Sequence, residues 1–227
     1  MSGFDRQRMA AQLQTGAEQL AIQLSELQCQ QLLDYIAELL RWNRAYNLTA
    51  VTDPAQMVVR HLLDSLAVYP LIDGDSLLDV GSGAGLPGMV LAIMAPQRQH
   101  HLLDSNGKKT RFLFHVATEL ALQNVQQHHC RVEQHQPCNL YAQVISRAFS
   151  SLDAMLLGCE RLLQPGGTII AMKGKITEHE LQGLAALKTT RPWQVSEIVP
   201  LAVPGLQDEE RHAVVLTSPT DESGAAL

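Results

Sequence analysis

Ten residues constrain this chain more than any other stretch. Asp79-Val80-Gly81-Ser82-Gly83-Ala84-Gly85-Leu86-Pro87-Gly88 carries four glycines where a short apolar run, Ser76–Val80, gives way to a helical pattern, Pro87–Ala95. Glycines where a strand meets a helix let the backbone turn tightly and approach a ligand closely. Each costs about 1 kcal/mol against alanine in regular structure, so a turn that holds nothing explains them poorly.

The rhythm around this loop sets the fold class. Ser76–Val80, His101–Leu103, Val125–Arg131, Gln143–Ile145 and Thr168–Met172 read as strands, and Trp193–Val203 and Arg211–Thr217 as two closing β-rich runs. Pro87–Ala95, Lys108–Leu122, Leu152–Leu163 and Glu178–Leu187 read as helices. Strands alternating with helices predict an α/β chain with a mainly parallel sheet covered on both faces. Leu77-Leu78 and Ile169-Ile170 lack polar alternation, as doubly buried strands do. Five βα units and a final pair of strands match, by analogy of fold, the class I methyltransferase outline, a Rossmann-like sheet of seven strands.

Residues 1–74 read as a helical extension to that domain. Ser25-Glu26-Leu27-Gln28 is a capping box, followed by Leu27, Leu32, Ile36, Leu39 and Leu40 at helical spacing. Asn47-Leu48-Thr49 breaks the pattern, and Asp53-Pro54 restarts a helix. Met57, Val58, His61, Leu62, Ser65 and Leu66 then share a face. The domain runs from 75 to 217, and residues 218–227 read as a frayed polar tail.

Composition excludes several classes. Lys and Arg number 17 against 23 Asp and Glu, a net charge of -6, which leaves no whole-molecule positive field for nucleic acid but allows a local basic face. Cys29, Cys130, Cys138 and Cys159 form no Cys-x-x-Cys, which argues against a disulfide framework or zinc ribbon and fits a reducing cytosol. MSGFDRQRMAAQLQ has no apolar signal core, and the apolar stretch Met89 to Ala95 is too short to span a bilayer. The expectation is a cytoplasmic protein.

Three readings of the glycine loop compete. A nucleoside-triphosphatase loop needs Gly-Lys-Ser/Thr after four spacers, and the sequence has none. A dinucleotide loop is allowed by Gly83-Ala84-Gly85-Leu86-Pro87-Gly88, but its first glycine would lie several residues beyond the strand. The third is S-adenosylmethionine. Asp79 stands two residues before Gly81, and a ligand with sulfonium and ammonium groups uses a negative charge that would repel a pyrophosphate. Asp104 ends the second strand 23 residues after Gly81, where an acid grips a ribose diol; its bland alternative is a helix cap. Arg131-Val132-Glu133 ends the third strand beside it, with Val132 placed to flank an adenine and Glu133 to accept its amine.

The fourth strand is followed by Ser146-Arg147-Ala148-Phe149, without the Asp/Asn-Pro-Pro-aromatic of adenine-amine methylases. Cys138 precedes that strand, at the wrong end for a pyrimidine-methylating nucleophile. The nine histidines show no metal spacing, so no metal ligand is assigned. Lys108, Lys109, Arg111, Arg147, Lys173 and Lys175 collect on the same edge, and two of them open a helix, where cations are unfavourable. That points to phosphate contact, against the bland alternative of solvated lysines.

Together these residues resemble the bacterial 16S rRNA guanine-N7 methyltransferases, the glucose-inhibited division protein B family, from about residue 25 to 217. The likeness includes Trp42-Asn43-Arg44-Ala45-Tyr46-Asn47-Leu48-Thr49, Arg60-His61-Leu62-Leu63-Asp64-Ser65, Asp79-Val80-Gly81-Ser82-Gly83 and Leu103-Asp104-Ser105. Val132-Glu133, Ser146-Arg147-Ala148-Phe149, Met172-Lys173-Gly174 and Glu210-Arg211-His212 continue it. About 20 residues precede the match. The resemblance implies S-adenosyl-L-methionine as cofactor, contacted by Gly81, Leu86, Val132, Glu133 and Arg147. Asp79, Gly83 and Asp104 join that set from the residues themselves. It implies methylation of the guanine at nucleotide 527 in the decoding-region loop. The partner is then 16S rRNA or a small-subunit precursor, with no DNA and no membrane, and the chain acts as a monomer. Lys108, Lys109, Arg111, Lys173 and Arg60 are the candidate RNA contacts. Arg147 is an orienting residue, with no catalytic acid or base; His61 and His212 are the nearest competitors for a base.

Overall fold

A computed structural model describes residues 4–147, 149 and 151–219. Seven strands form one sheet in the order β3-β2-β1-β4-β5-β7-β6. They are β1 (Ser76–Val80), β2 (Gln99–Asp104), β3 (Val125–His129), β4 (Tyr141–Ser146), β5 (Leu163–Lys173), β6 (Gln194–Pro200) and β7 (His212–Thr217). β1 to β5 pair in parallel, and β7 runs antiparallel to both β5 and β6. The chain moves outward from β1 to β3, then returns to β4 on β1's other side. That reversal opens a crevice at the carboxyl ends of β1 and β4, where ligands bind in such sheets.

The domain helices are α5 (Gly88–Met94), α6 (Gly107–Glu119), α7 (Leu152–Cys159) and α8 (Glu178–Ala185). The extension folds as α1 (Arg6–Gln19), α2 (Glu26–Tyr46) and a third segment in which α3 (Pro54–Met57) and α4 (Asp64–Leu66) flank a π-helical turn, Val58–Leu63. Both expected start signals hold. Ser25 and Gln28 exchange the two bonds of a capping box, and Asp53 accepts from the Gln56 N–H with Pro54 in the first turn. The residues before the family likeness form α1, whose Gly16 packs so close to Leu63 that a Cβ would lie 2.4 Å from it.

Extension and sheet share one apolar core. Leu13, Leu32, Ile36, Leu39 and Leu62 join Leu77, Val90, Leu91, Phe112 and Val116 in a single buried cluster on one sheet face. A second cluster, with Leu78, Val144, Met155, Leu156 and Ile169, fills the other face under α7.

The elements differ from the sequence pattern at three places. β3 stops at His129, and Val132 and Glu133 lie in a following 3-10 turn, Val132–Gln134. The Arg161 guanidinium donates to the Val132 and His135 carbonyls at 2.6 and 2.9 Å, which bends the chain out of the sheet. β5 starts earlier than expected, through Gly166 at φ +76°, and a register shift opposite Tyr141 and Gln143 absorbs the extra residues. Ser218, placed in the tail, is buried. Ala148 and residues 220–227 lie outside the described residues.

Candidate functional site

The glycine loop is an extension of the β1–β2 ladder. Gly81 and Ser82 donate their N–H groups to the Leu103 carbonyl at 2.8 and 3.1 Å, and Gly81, Gly83 and Gly85 take φ of +70°, +60° and +100°. Side chains rarely adopt such angles, so glycine is required there. Gly88 is needed for another reason: a Cβ would lie 2.2 Å from Leu102 and 2.7 Å from the Asp79 carboxylate.

A cleft of about 270 Å³ opens at this loop, lined by Gly81, Ser82, Gly83, Ala84 and Leu86, by Leu48 and Thr49 of the extension, and by Lys109 and Arg147. A larger cavity, about 660 Å³, lies between α1 and α2 and contains none of the loop. Over Gly83 nothing is tightly packed: a Cβ would meet Lys109 Nζ at 3.8 Å and the Gly81 carbonyl at 3.9 Å, ordinary contact distances on the face of the cleft. Bare backbone, an open cleft and a nearby carboxylate make a cradle that fits a nucleoside cofactor.

Asp104 supplies that carboxylate. Its Oδ2 accepts from Gly83 N–H at 2.9 Å and its Oδ1 from Asn106 N–H at 2.8 Å, with Lys109 Nζ 3.7 Å from Oδ2. Two backbone donors fix the carboxylate and still leave acceptor capacity, since an ionised carboxylate has about four acceptor sites. Asp79 is placed differently from the expectation. It is 1% exposed, lies beneath the loop rather than in the cleft, and uses Oδ2 to accept from Gly88 N–H at 2.8 Å. Its Oδ1 is buried with no partner, and burial pushes the carboxyl up to about 7. It is the Asp79 carboxyl oxygen, as a hydrogen-bond acceptor, that braces the loop through Gly88.

The basic residues separate. Lys108 and Arg111 are exposed at the start of α6. Lys109 turns toward Asp104 and lines the cleft. Lys173 is 13% exposed in its side chain and paired with Glu180 at 2.7 Å. Arg60 is paired with Glu209 at 2.5 Å. Val132 is buried and Glu133 exposed, in the turn beyond β3.

Several site residues escaped the sequence reading. Leu48 and Thr49 wall the cleft because Asn43 holds Thr49 from both sides, accepting from its N–H and donating to its carbonyl, each at 2.9 Å. The Thr49 hydroxyl lies 3.1 Å from His61 Nε2, and burial pushes His61 down to about 4. Buried Tyr35 of α2 donates its hydroxyl to the Ala84 carbonyl at 3.0 Å, tying the extension to the loop. Asn47, which ends α2 in the left-handed region at φ +51°, is the visible signal, legible in the sequence as a break and as part of the family likeness.

This sheet, with its glycine cradle and buried acid at the end of the second strand, defines an S-adenosylmethionine-dependent methyltransferase of class I. The chain belongs to the family of rRNA small subunit methyltransferase G, whose family model matches residues 28–214. It is 50% identical over 213 residues to the ribosomal RNA small subunit methyltransferase G of Cellvibrio japonicus, covering 90% of this chain and 93% of that one. Among solved structures it is similar to a putative O-methyltransferase from Klebsiella pneumoniae, at a TM-score of 0.58 and 13% identity over 95% and 99% of the two chains. A methyltransferase from Thiobacillus denitrificans in complex with S-adenosyl-L-homocysteine gives 0.50 and 13%, over 69% and 90%. At such identities the likeness is one of fold.

Proposed function

We propose that this chain transfers a methyl group from S-adenosyl-L-methionine to N7 of a guanine in 16S rRNA, the guanine at nucleotide 527 of the decoding-region loop. Its substrate is the RNA or a precursor of the small subunit, and the chain acts as a monomer in the cytoplasm. Among the described residues no helix is long and apolar enough to cross a membrane.

Family membership supports the substrate. The chemistry of the cleft wall carries the choice of N7: among the described residues lining it none is a carboxylate or an imidazole, and the carboxylate beside it, Asp104, is engaged by the Gly83 and Asn106 N–H groups and given to the ribose. Guanine N7 presents an in-plane lone pair and no proton at neutral pH, so attack needs no base. An exocyclic amine or a hydroxyl must lose a proton, and pyrimidine carbon-5 needs covalent activation. When bound, S-adenosylmethionine supplies the electrophilic methyl group.

The chain's own part is positioning. Asp104 accepts from the ribose, Gly81, Gly83 and Leu86 leave room for the nucleoside, and Val132 and Glu133 flank the base. Arg147 orients; it is too basic to accept a proton. Lys108 and Arg111 meet RNA phosphates. His61 is buried and neutral, and His212 Nδ1 lies 2.8 Å from the Gly174 carbonyl; neither lines the cleft.

The test uses tritiated S-adenosylmethionine with 16S rRNA, 23S rRNA and 30S subunits as acceptors, followed by borohydride reduction and aniline, which cut RNA at N7-methylguanine. Label in small-subunit RNA with one cut at that guanine is expected. Label without scission, or label in 23S rRNA alone, refutes the proposal. The single-turnover rate should be nearly flat from about pH 6 to 8.5. A tenfold rise per pH unit that vanishes in His61→Ala or His212→Ala would replace positioning with base catalysis.

A further inference from the structure

Arg147 is held at the cleft by groups that lie in none of the cofactor-binding loops. Its Nη1 donates to Asp64 Oδ2 at 3.0 Å and to the Arg60 carbonyl at 3.2 Å. The other Asp64 oxygen, Oδ1, accepts from Arg211 Nε at 3.3 Å. Arg211 Nη2 reaches Glu209 Oε2 at 2.7 Å, and Glu209 Oε1 meets Arg60 Nη2 at 2.5 Å. The contacts close a ring through three segments: the π-helical turn and α4, the end of β4, and the β6–β7 connection.

Asp64 is the member the others depend on. Its side chain is 4% exposed, whereas those of Arg147 and Arg211 are 31% and 26% exposed. A carboxylate so buried requires paired charges and hydrogen bonds, and two guanidinium groups supply them, one to each oxygen. The backbone contributes too. Arg60 lies in a π-helical turn, an irregularity that recurs at functional sites, and its carbonyl is the second acceptor for Arg147.

We propose that Asp64 is a positioning residue for the cofactor. Acting through Arg147, it holds that guanidinium against the cleft wall beside Gly81 and Thr49, and through Arg211 it anchors the β6–β7 connection to the same point. This rests on the assignment of Arg147 to the cofactor. The simpler alternative is that Asp64 only staples the extension to the sheet. Loss of a staple lowers the melting temperature, but its effect on affinity does not depend on Arg147.

The test is a double-mutant cycle read by calorimetric titration with S-adenosylhomocysteine, on wild type, Asp64→Asn, Arg147→Ala and the double variant. Asparagine keeps the shape and loses the charge. Each single variant should bind about tenfold more weakly or worse, and the double variant no more weakly than Arg147→Ala alone. Multiplying effects, or wild-type affinity in Asp64→Asn while Arg147→Ala is weakened, overturn the proposal. Wild-type affinity in Arg147→Ala instead removes the Arg147 assignment, and this inference with it. If Asp64→Asn does not fold, Asp64→Glu keeps the charge on a longer arm. It should bind at least threefold more weakly with a near-native melting temperature, and wild-type affinity there overturns the proposal equally.

Discussion

Asp79 and Asp104 close neighbouring strands, and both are buried, yet their surroundings give them different work. Asp104 has each oxygen fixed by a backbone N–H and keeps capacity for a ligand. Hydrogen bonds to a charged group are worth roughly 1.5–3 kcal/mol each, so Asp104→Ala should weaken S-adenosylmethionine binding tenfold or more in a calorimetric titration. Wild-type affinity in a folded variant would remove Asp104 from the site. Asp79 has one oxygen on Gly88 and one on nothing, and burial raises its carboxyl to about 7 against an ordinary 3.8. A folded-state value above the unfolded one means that ionising this acid destabilises the protein as pH rises from about 4 to 7. Asp79→Asn keeps an acceptor for Gly88 and removes the charge. It should raise the melting temperature more at pH 8 than at pH 5, with cofactor affinity within about threefold of wild type. A uniform loss at both values would show that the carboxylate is needed charged.

At the scale of elements, α2 joins fold to site. Its capping box starts it, its apolar stripe buries it on α5 and α6, and Tyr35 reaches the glycine loop. Tyr35→Phe leaves the buried Ala84 carbonyl unpaired, a loss of about 1–3 kcal/mol. Denaturant unfolding should show that loss, together with weaker cofactor binding; a neutral substitution would mean the loop stands without the extension. The elements themselves were legible because their signals are local: caps within four residues, apolar periods of 3.6 or 2, glycines at a strand end. What failed to read was long-range. Tyr35 and Ala84 are 49 residues apart, Arg147 and Asp64 are 83 apart, and Arg161 bends a turn 29 residues away. No window along the chain carries those contacts. The same limit applies to the cations: Lys109 and Lys173 read with Lys108 and Arg111 as one basic edge, and only the fold sets Asp104 and Glu180 beside them. Lys108 and Arg111 stay exposed, so replacing both with alanine should reduce the salt dependence of RNA binding by about one to two phosphate contacts. An unchanged slope in a salt titration would return both to ordinary solvation.

At the scale of the whole molecule, acid is the weak side. Burial pushes His61, His100 and His128 down to about 4 from 6.5, and lowers His101 and His135 as well. His101 Nδ1 and His128 Nε2 are 2.9 Å apart, so charging both sets two cations in contact. His100 is the starkest case: it is 1% exposed, and neither ring nitrogen has a hydrogen-bond partner of good geometry. Between about pH 6.5 and 4 the unfolded chain takes up protons that these folded imidazoles refuse, so stability falls as pH drops through that window. Asp79 opposes the trend over about 4 to 7, but one carboxyl offsets only one imidazole. Melting temperature should therefore decline steadily from pH 6.5 to 4.5. His100→Phe fills the same buried space without a proton site or unpaired nitrogens. It should flatten the decline and raise the melting temperature more at pH 5 than at pH 8, where wild-type His100 is neutral in both folded and unfolded states. Parallel curves for wild type and variant would show that His100 carries its proton in the fold, and would assign the acid lability to the His101–His128 pair and His61 instead.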